Sequence, residues 1–235
     1  MRIINYNSLK VNKQAFSSGS FGKIYKCLYN GNIYAYKEFY DTTFLHGKKQ
    51  KLNEINKIDE DFLVTPRFWI KKDGKTIGYL TKLLNGKDLA FLEEYDLKYK
   101  VQILDIIKHE IKKIHSYGII HSDISSSNII IENNIPYFID FDNCSYNNSP
   151  IKISDGSDIT QEFIKKYGVI KELDIFLFNL LTFELVNECN YNLIRKNIML
   201  NNYGLFDNPT SKEICESFFL EGKIPEKRFL IDKIK

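Results

Sequence analysis

Cysteine is scarce and scattered: Cys27, Cys144, Cys189 and Cys215 are the only four among 235 residues. None forms a CxxC pair and the spacing gives no short disulfide framework, which excludes a zinc module or a stapled scaffold as the organising device. Reduced thiols in a cytoplasm are the expectation. Excess charge is equally scarce, since 33 basic and 30 acidic residues leave only +3, too little to argue for a nucleic-acid partner. No stretch approaches the roughly 20 apolar residues of a membrane span. The opening Met1-Arg2-Ile3-Ile4-Asn5-Tyr6-Asn7 carries no apolar core followed by a small-residue cleavage site. No membrane partner is expected, and the expected location is cytoplasmic, or a host cell if delivery uses a signal that hydropathy does not read. Solenoid or propeller repeats and low-complexity linkers are missing as well. The length then fits one unit over residues 1–235, with a single core or two small lobes sharing an interface.

What is present changes character once, near residue 84. Before it, Lys23 to Tyr29, Ile33 to Tyr40, Arg67 to Lys71 and Lys75 to Lys82 are short runs rich in Ile, Tyr, Phe and Leu, separated by Asn-Gly and Asp-Gly turns. That pattern predicts antiparallel hairpins. One helix interrupts them from about Gly47 to Ile58, with Leu52, Ile55 and Ile58 as its apolar stripe. After residue 85 the periodicity becomes helical: Lys98 to Tyr117 carries Val101, Leu104, Ile107, Ile111 and Ile114, and a second helix spans about Val169 to Val186. The expected class is α+β, with an antiparallel sheet lobe and one helix over residues 1–84 and a shortened, mainly helical lobe over 85–235. Between the two helices, Asn128 to Ile131 and Pro136 to Ile139 read as a hairpin with polar residues at both ends.

The run His115-Ser116-Tyr117-Gly118-Ile119-Ile120-His121-Ser122-Asp123-Ile124-Ser125-Ser126-Ser127-Asn128 resembles the HxDxxxxN catalytic loop of the protein-kinase family, and Ile139-Asp140-Phe141-Asp142 resembles its DFG element. The phosphoryl transfer this resemblance implies requires a carboxylate that orients an acceptor hydroxyl, an oxygen ligand for a hard cation, and a second carboxylate bridging that cation to phosphates. Asp123, Asn128 and Asp140 would supply one each. The plainer alternative is that three polar residues cap a hairpin. The resemblance implies a small, minimal kinase domain of bacterial or viral type, two-lobed and dependent on ATP and Mg²⁺. Asp123 would orient the acceptor, and Asn128 and Asp140 would hold the metal. It also makes His121 a packed, hydrogen-bonded residue supporting Phe141.

Upstream, Ser17-Ser18-Gly19-Ser20-Phe21-Gly22-Lys23-Ile24 resembles the family's glycine-rich loop, with Ser17 where the first glycine would stand. Gly19 and Gly22 would let the backbone approach phosphates, although a hairpin turn alone could also use two glycines. Tyr34-Ala35-Tyr36-Lys37 stands where the family has its VAIK lysine, so the resemblance gives Lys37 the α- and β-phosphates and a carboxylate partner from the next helix. Glu54 is the expected partner and Glu60 the alternative. By position, Ile24 and Ala35 would cover one adenine face and Ile130 the other. Thr81 would precede a hinge at Lys82-Leu83-Leu84 whose backbone reads the adenine edge, with Lys82 and Leu84 as contacts.

The acceptor is less legible. Asp158-Ile159-Thr160-Gln161-Glu162-Phe163 resembles a degraded APE motif, Asp174 matches the aspartate opening the family's long buried helix, and Ile224-Pro225-Glu226-Lys227-Arg228 resembles its DPxxR. The resemblance implies a Glu162–Arg228 ion pair, a protein-kinase feature, and so a protein substrate with a Ser, Thr or Tyr hydroxyl. Three departures weigh against a plain transfer. Ser122 replaces the arginine that receives an activation-loop phosphate, implying constitutive activity or control by a regulatory protein partner. Ser125 replaces a lysine near the transferred phosphate, and Asp142 replaces the DFG glycine, an acidic feature shared with small-molecule kinases. Only about 60 residues follow Asp174, so trimmed substrate-docking helices are expected. A small-molecule kinase and a pseudokinase that binds nucleotide or a partner remain the alternatives.

Overall fold

The computed structural model describes residues 1–45, 47–152 and 156–187. Cys189, Cys215 and Arg228, and with Arg228 the expected ion pair to Glu162, lie outside the described residues. The chain divides into two compact units, and the division is not contiguous in sequence. One holds Met1–Asn85 with Phe138–Asp142, the other Gly86–Tyr137 with the described residues from Asn143 onward.

The first unit is a seven-stranded sheet with one α-helix. Its strands are β1 (Arg2–Asn5), β2 (Lys10–Val11), β3 (Ser17–Ser18), β4 (Gly22–Tyr29), β5 (Asn32–Phe39), β6 (Phe68–Lys72) and β7 (Lys75–Lys82). They follow the order β1-β6-β7-β5-β4-β2, with β3 also on β4. The Asn30-Gly31 and Asp73-Gly74 turns take positive φ at both residues, the geometry that matches the strand twist of a two-residue hairpin. The sheet is antiparallel except at one edge, where β1 pairs parallel with β6, Ile4 opposite Ile70. That strand was not expected, and Ile4 joins Cys27, Tyr36, Ile70 and Leu80 in a core on one sheet face. Burial there pushes the Cys27 thiol up to about 11.

Helix α1 (Lys48–Ile55) buries Leu52 and Ile55, and is shorter than the 47–58 expected. It begins one residue late and ends three residues early; at its start Gly47 sits at φ +75 with no side-chain cap, and Lys48, Lys49 and Lys51 crowd the positive end of the helix dipole. Burial and the nearby Lys71 hold the Lys49 amine below its ordinary value.

The second unit begins with β8 (Lys87–Asp88) and α2 (Leu97–Ser116), followed by β9 (Ile119–Ile120), β10 (Ile129–Glu132), β11 (Ile135–Phe138), β12 (Ser145–Tyr146), α3 (Asp158–Tyr167) and α4 (Glu172–Asn187). Phe138, the last residue of β11, belongs to the first unit. Asp96 caps α2 by accepting the Tyr99 N–H at 2.8 Å. Leu104, Ile107, Ile111 and Ile114 are fully buried along one stripe, with Ile103 beside them and Val101 only half-buried. Helix α4 is apolar all round: Leu173, Leu177, Phe178, Leu181 and Phe183 are each almost wholly buried, as befits a helix packed on every side. Strands β10 and β11 form the expected hairpin with β8 added at its edge, and β12 pairs with β9. Among the described residues no helix is long and apolar enough to cross a membrane.

Candidate active site

In the first unit, strand register collects one set of side chains on one sheet face. Lys37 of β5 is directly opposite Ile24 of β4 and Tyr79 of β7, and Ala35 is opposite Thr81. Since alternate residues share a face, Ile24, Ala35, Lys37, Tyr79 and Thr81 form one surface while Tyr36 turns to the opposite core. Ile24, Ala35, Thr81, Lys82 and Leu84 are all half-buried, neither sealed in a core nor open. Beyond β3, the Gly19 N–H donates to the Gly22 carbonyl at 3.0 Å and closes the turn holding Ser20 and Phe21. The Phe21 ring stacks on Phe44 at 4.2 Å, while Ser17, Gly19 and Ser20 are exposed.

The Lys37 ammonium is buried between two carboxylates, donating to Asp140 Oδ1 and Asp142 Oδ2 at 2.6 Å each. Burial alone would lower its affinity for the proton, but the charges of Asp140 and Asp142 outweigh that and hold it above its ordinary value. Asp142 takes a further bond from the Tyr79 hydroxyl, at 2.8 Å to Oδ1. Burial pushes the Asp142 carboxyl up, Lys37 draws it back and Asp140 pushes it up again, with the balance at about 6. Asp140 itself adopts φ +64, a left-handed conformation unusual for a residue with a side chain, and its carboxylate is the more open of the two.

Lys37 does not pair with Glu54, and that expectation is corrected. Both Glu54 oxygens accept from Lys57, at 2.7 and 2.8 Å, on the exposed side of α1. With Leu52 and Ile55 turned inward and Asn53 accepting the Trp69 indole N–H, Glu54 is left beside its i+3 neighbour. Glu60, the alternative, falls beyond the helix end. Sequence reasoning missed Tyr79 and noted Asp142 only as a departure. The signal for Tyr79 was its place two residues before Thr81, on the face assigned to the nucleotide.

In the second unit, the loop after β9 is built around Asp174. Its Oδ1 accepts the Ser122 N–H at 2.7 Å, and its Oδ2 accepts the His121 N–H at 2.8 Å and lies 2.9 Å from His115 Nε2. His121 is almost fully buried, and its Nδ1 accepts the Asp123 N–H at 3.3 Å. Asn128 folds back on Asp123, its Nδ2 donating to the backbone oxygen at 2.9 Å and to Oδ2 at 2.8 Å. That use of the amide nitrogen leaves Oδ1 as the oxygen Asn128 offers to a cation. Ile130 is half-buried on β10, opposite Asp88 of β8. Glu162 bonds Lys165 at 2.7 Å on the exposed side of α3.

A hard cation of Mg²⁺ type prefers oxygen donors, and the Asp140 carboxylate is one in the first unit, as Asn128 Oδ1 is in the second. Among the described residues no three His, Cys, Asp or Glu side chains gather into a self-sufficient metal cage. Mg²⁺ usually takes only one or two protein carboxylates and completes its shell from phosphates and water.

Comparison with known protein families matches residues 11–205 to the protein kinase domain. The chain belongs to the protein kinase family. Its two-unit α+β build is that family's fold. Among similar proteins, two from Dictyostelium discoideum are named as LIM domain-containing serine/threonine-protein kinases. They are 27% identical over 79% of this chain and 26% identical over 72% of it. The KEOPS complex subunit Bud32 of Pyrococcus abyssi is 28% identical over 35% of the chain. These alignments span 31%, 19% and 38% of the respective relatives, so the chain covers well under half of each one's length.

Proposed function

We propose that this kinase moves the γ-phosphate of Mg-ATP to a Ser, Thr or Tyr hydroxyl of a protein. The observation that carries the reading is the 2.6 Å contact of Lys37 Nζ with Asp140 Oδ1, an amine suited to phosphates beside a carboxylate suited to their cation. Mg²⁺, held by Asp140 and Asn128, would supply charge neutralisation on the phosphates. Asp123 accepts or orients the acceptor proton, and the Asn128 bond fixes its carboxylate for that task. The turn Ser17 to Gly22 offers backbone N–H groups to the phosphates, while Ile24, Ala35 and Ile130 take the adenine faces and Lys82 and Leu84 its edge. The names of the Dictyostelium relatives favour a protein acceptor. With Ser122 in place of a phosphate-receiving arginine, activity is constitutive or set by a regulatory protein. The buried thiols Cys27 and Cys144 agree with a reducing, cytoplasmic setting.

The test is transfer from labelled ATP to generic protein substrates, to the protein itself and to a panel of small alcohols, with Asp123→Ala as control. Protein labelling lost in Asp123→Ala is the expected result. Labelling of small alcohols alone would overturn the acceptor, and none at all despite bound Mg-ATP would overturn the reaction.

A further inference from the structure

The two carboxylates on Lys37 differ in kind. The Asp140 side chain is 36% exposed and that of Asp142 only 4%. Asp142 has both oxygens engaged, one on Lys37 and one on the Tyr79 hydroxyl, and Tyr79 stands directly opposite Lys37 in the β5–β7 pairing. A buried carboxylate bonded through both oxygens to neighbouring strands of a sheet has little freedom to rotate, so it is a fixed point from which a lysine can be aimed. Glu54, on α1, is turned to Lys57 with its side chain 42% exposed.

We propose that Asp142, braced by Tyr79, is the positioning residue for Lys37, so that the lysine is aimed from its own sheet and from the segment carrying Asp140 rather than by a carboxylate of α1, which meets Asp142 through a 3.4 Å bond from Lys51 Nζ to its backbone oxygen. The proposal rests on the phosphotransfer reading above. When Asp140 turns to a cation, Lys37 keeps its buried partner and its ammonium stays directed at the same point. Because Asp140 and Asp142 are two residues apart, one short segment sets the spacing between the amine and the metal-binding carboxylate. Tyr79 is then part of the apparatus that orients Lys37.

Two measurements test it. In nucleotide-free protein, double-mutant cycles compare Lys37→Met with Asp142→Asn and Lys37→Met with Glu54→Gln by chemical denaturation. Asp142→Asn should favour the folded state at least about tenfold more in the Lys37→Met background than with Lys37 present, since it then removes a carboxylate deprived of its cation. Glu54→Gln should act alike in both backgrounds, within about threefold. In transfer assays, Asp142→Asn should lower kcat at least about tenfold without a lower melting temperature, and Tyr79→Phe by a smaller factor. A structural role alone would move stability and leave turnover per folded molecule intact. Stronger coupling of Lys37 to Glu54 than to Asp142, or wild-type kcat in Asp142→Asn, would overturn the proposal. Absence of transfer by the wild-type protein would instead sink the proposed function, with the nucleotide-free cycle still deciding how Lys37 is held.

Discussion

Asp174 Oδ1 accepts the backbone N–H of Ser122 at 2.7 Å, joining the first turn of a buried helix to the loop that carries Asp123. With the His121 N–H and His115 Nε2 on its other oxygen, this wholly buried carboxylate gathers three groups from 52 to 59 residues upstream. Asp174→Asn keeps the shape but presents an NH₂ to at least one N–H donor, leaving buried donors face to face. The expected loss is about 3–5 kcal/mol in urea unfolding, as for breaking a buried charge-assisted network. Loss of activity without loss of stability would contradict this placement.

Ser122 carries two opposed contributions that substitution separates. At φ +65 it occupies a region that disfavours any Cβ, and its buried hydroxyl donates to the Asn143 carbonyl at 2.9 Å. Ser122→Ala keeps the strain and removes the bond, an expected loss of about 1 kcal/mol. Ser122→Gly removes both, and relief of about 1 kcal/mol of strain should bring it near the wild type in the same denaturation series. If glycine proves as destabilising as alanine, the backbone there is unstrained.

The strands and helices were legible wherever one chemical period persisted long enough to be read. Lys75 to Lys82 appears as expected, and the α2 helix begins and ends one residue early. What sequence could not supply was partnership at a distance. Lys37 finds Asp140 and Asp142 more than a hundred residues away, whereas Glu54 looked right by spacing and was claimed by Lys57, three residues on. Strand β1 was missed for a related reason: four residues carry too little periodicity, and only the pairing of Ile4 with Ile70 makes them a strand. Asp123 and Asn128 were readable because their contact is local, five residues apart on one loop.

The raised Asp142 carboxyl gives a pH signature. Its folded-state value of about 6 exceeds the ordinary 3.8, so between roughly pH 4 and 6 the folded state binds the proton more than the unfolded state does. Stability from this group therefore falls as pH rises through that window and stays low above it. Asp142→Asn removes the titration. Relative to its value at pH 4, the variant's stability should exceed that of the wild type by about 1–3 kcal/mol at pH 7, read from denaturation midpoints at both pH values. Parallel profiles for the two proteins would show that Asp142 ionises normally.

Two glycines of the same turn should respond differently. A Cβ on Gly22 would press into the backbone oxygen of Glu38, on the strand paired directly with it, and backbone in a sheet cannot step aside cheaply. Gly22→Ala is expected to cost about 1–3 kcal/mol and to lower the melting temperature. Gly19 has nothing within 4 Å of the corresponding position, and its φ is not positive. Gly19→Ala should leave stability within about 0.5 kcal/mol while raising KM for ATP, because the added methyl occupies space where the backbone would approach the phosphates. The pair separates fold from ligand at one loop: equal losses of stability would make the turn purely structural, and an unchanged KM in Gly19→Ala would remove that turn from the nucleotide site.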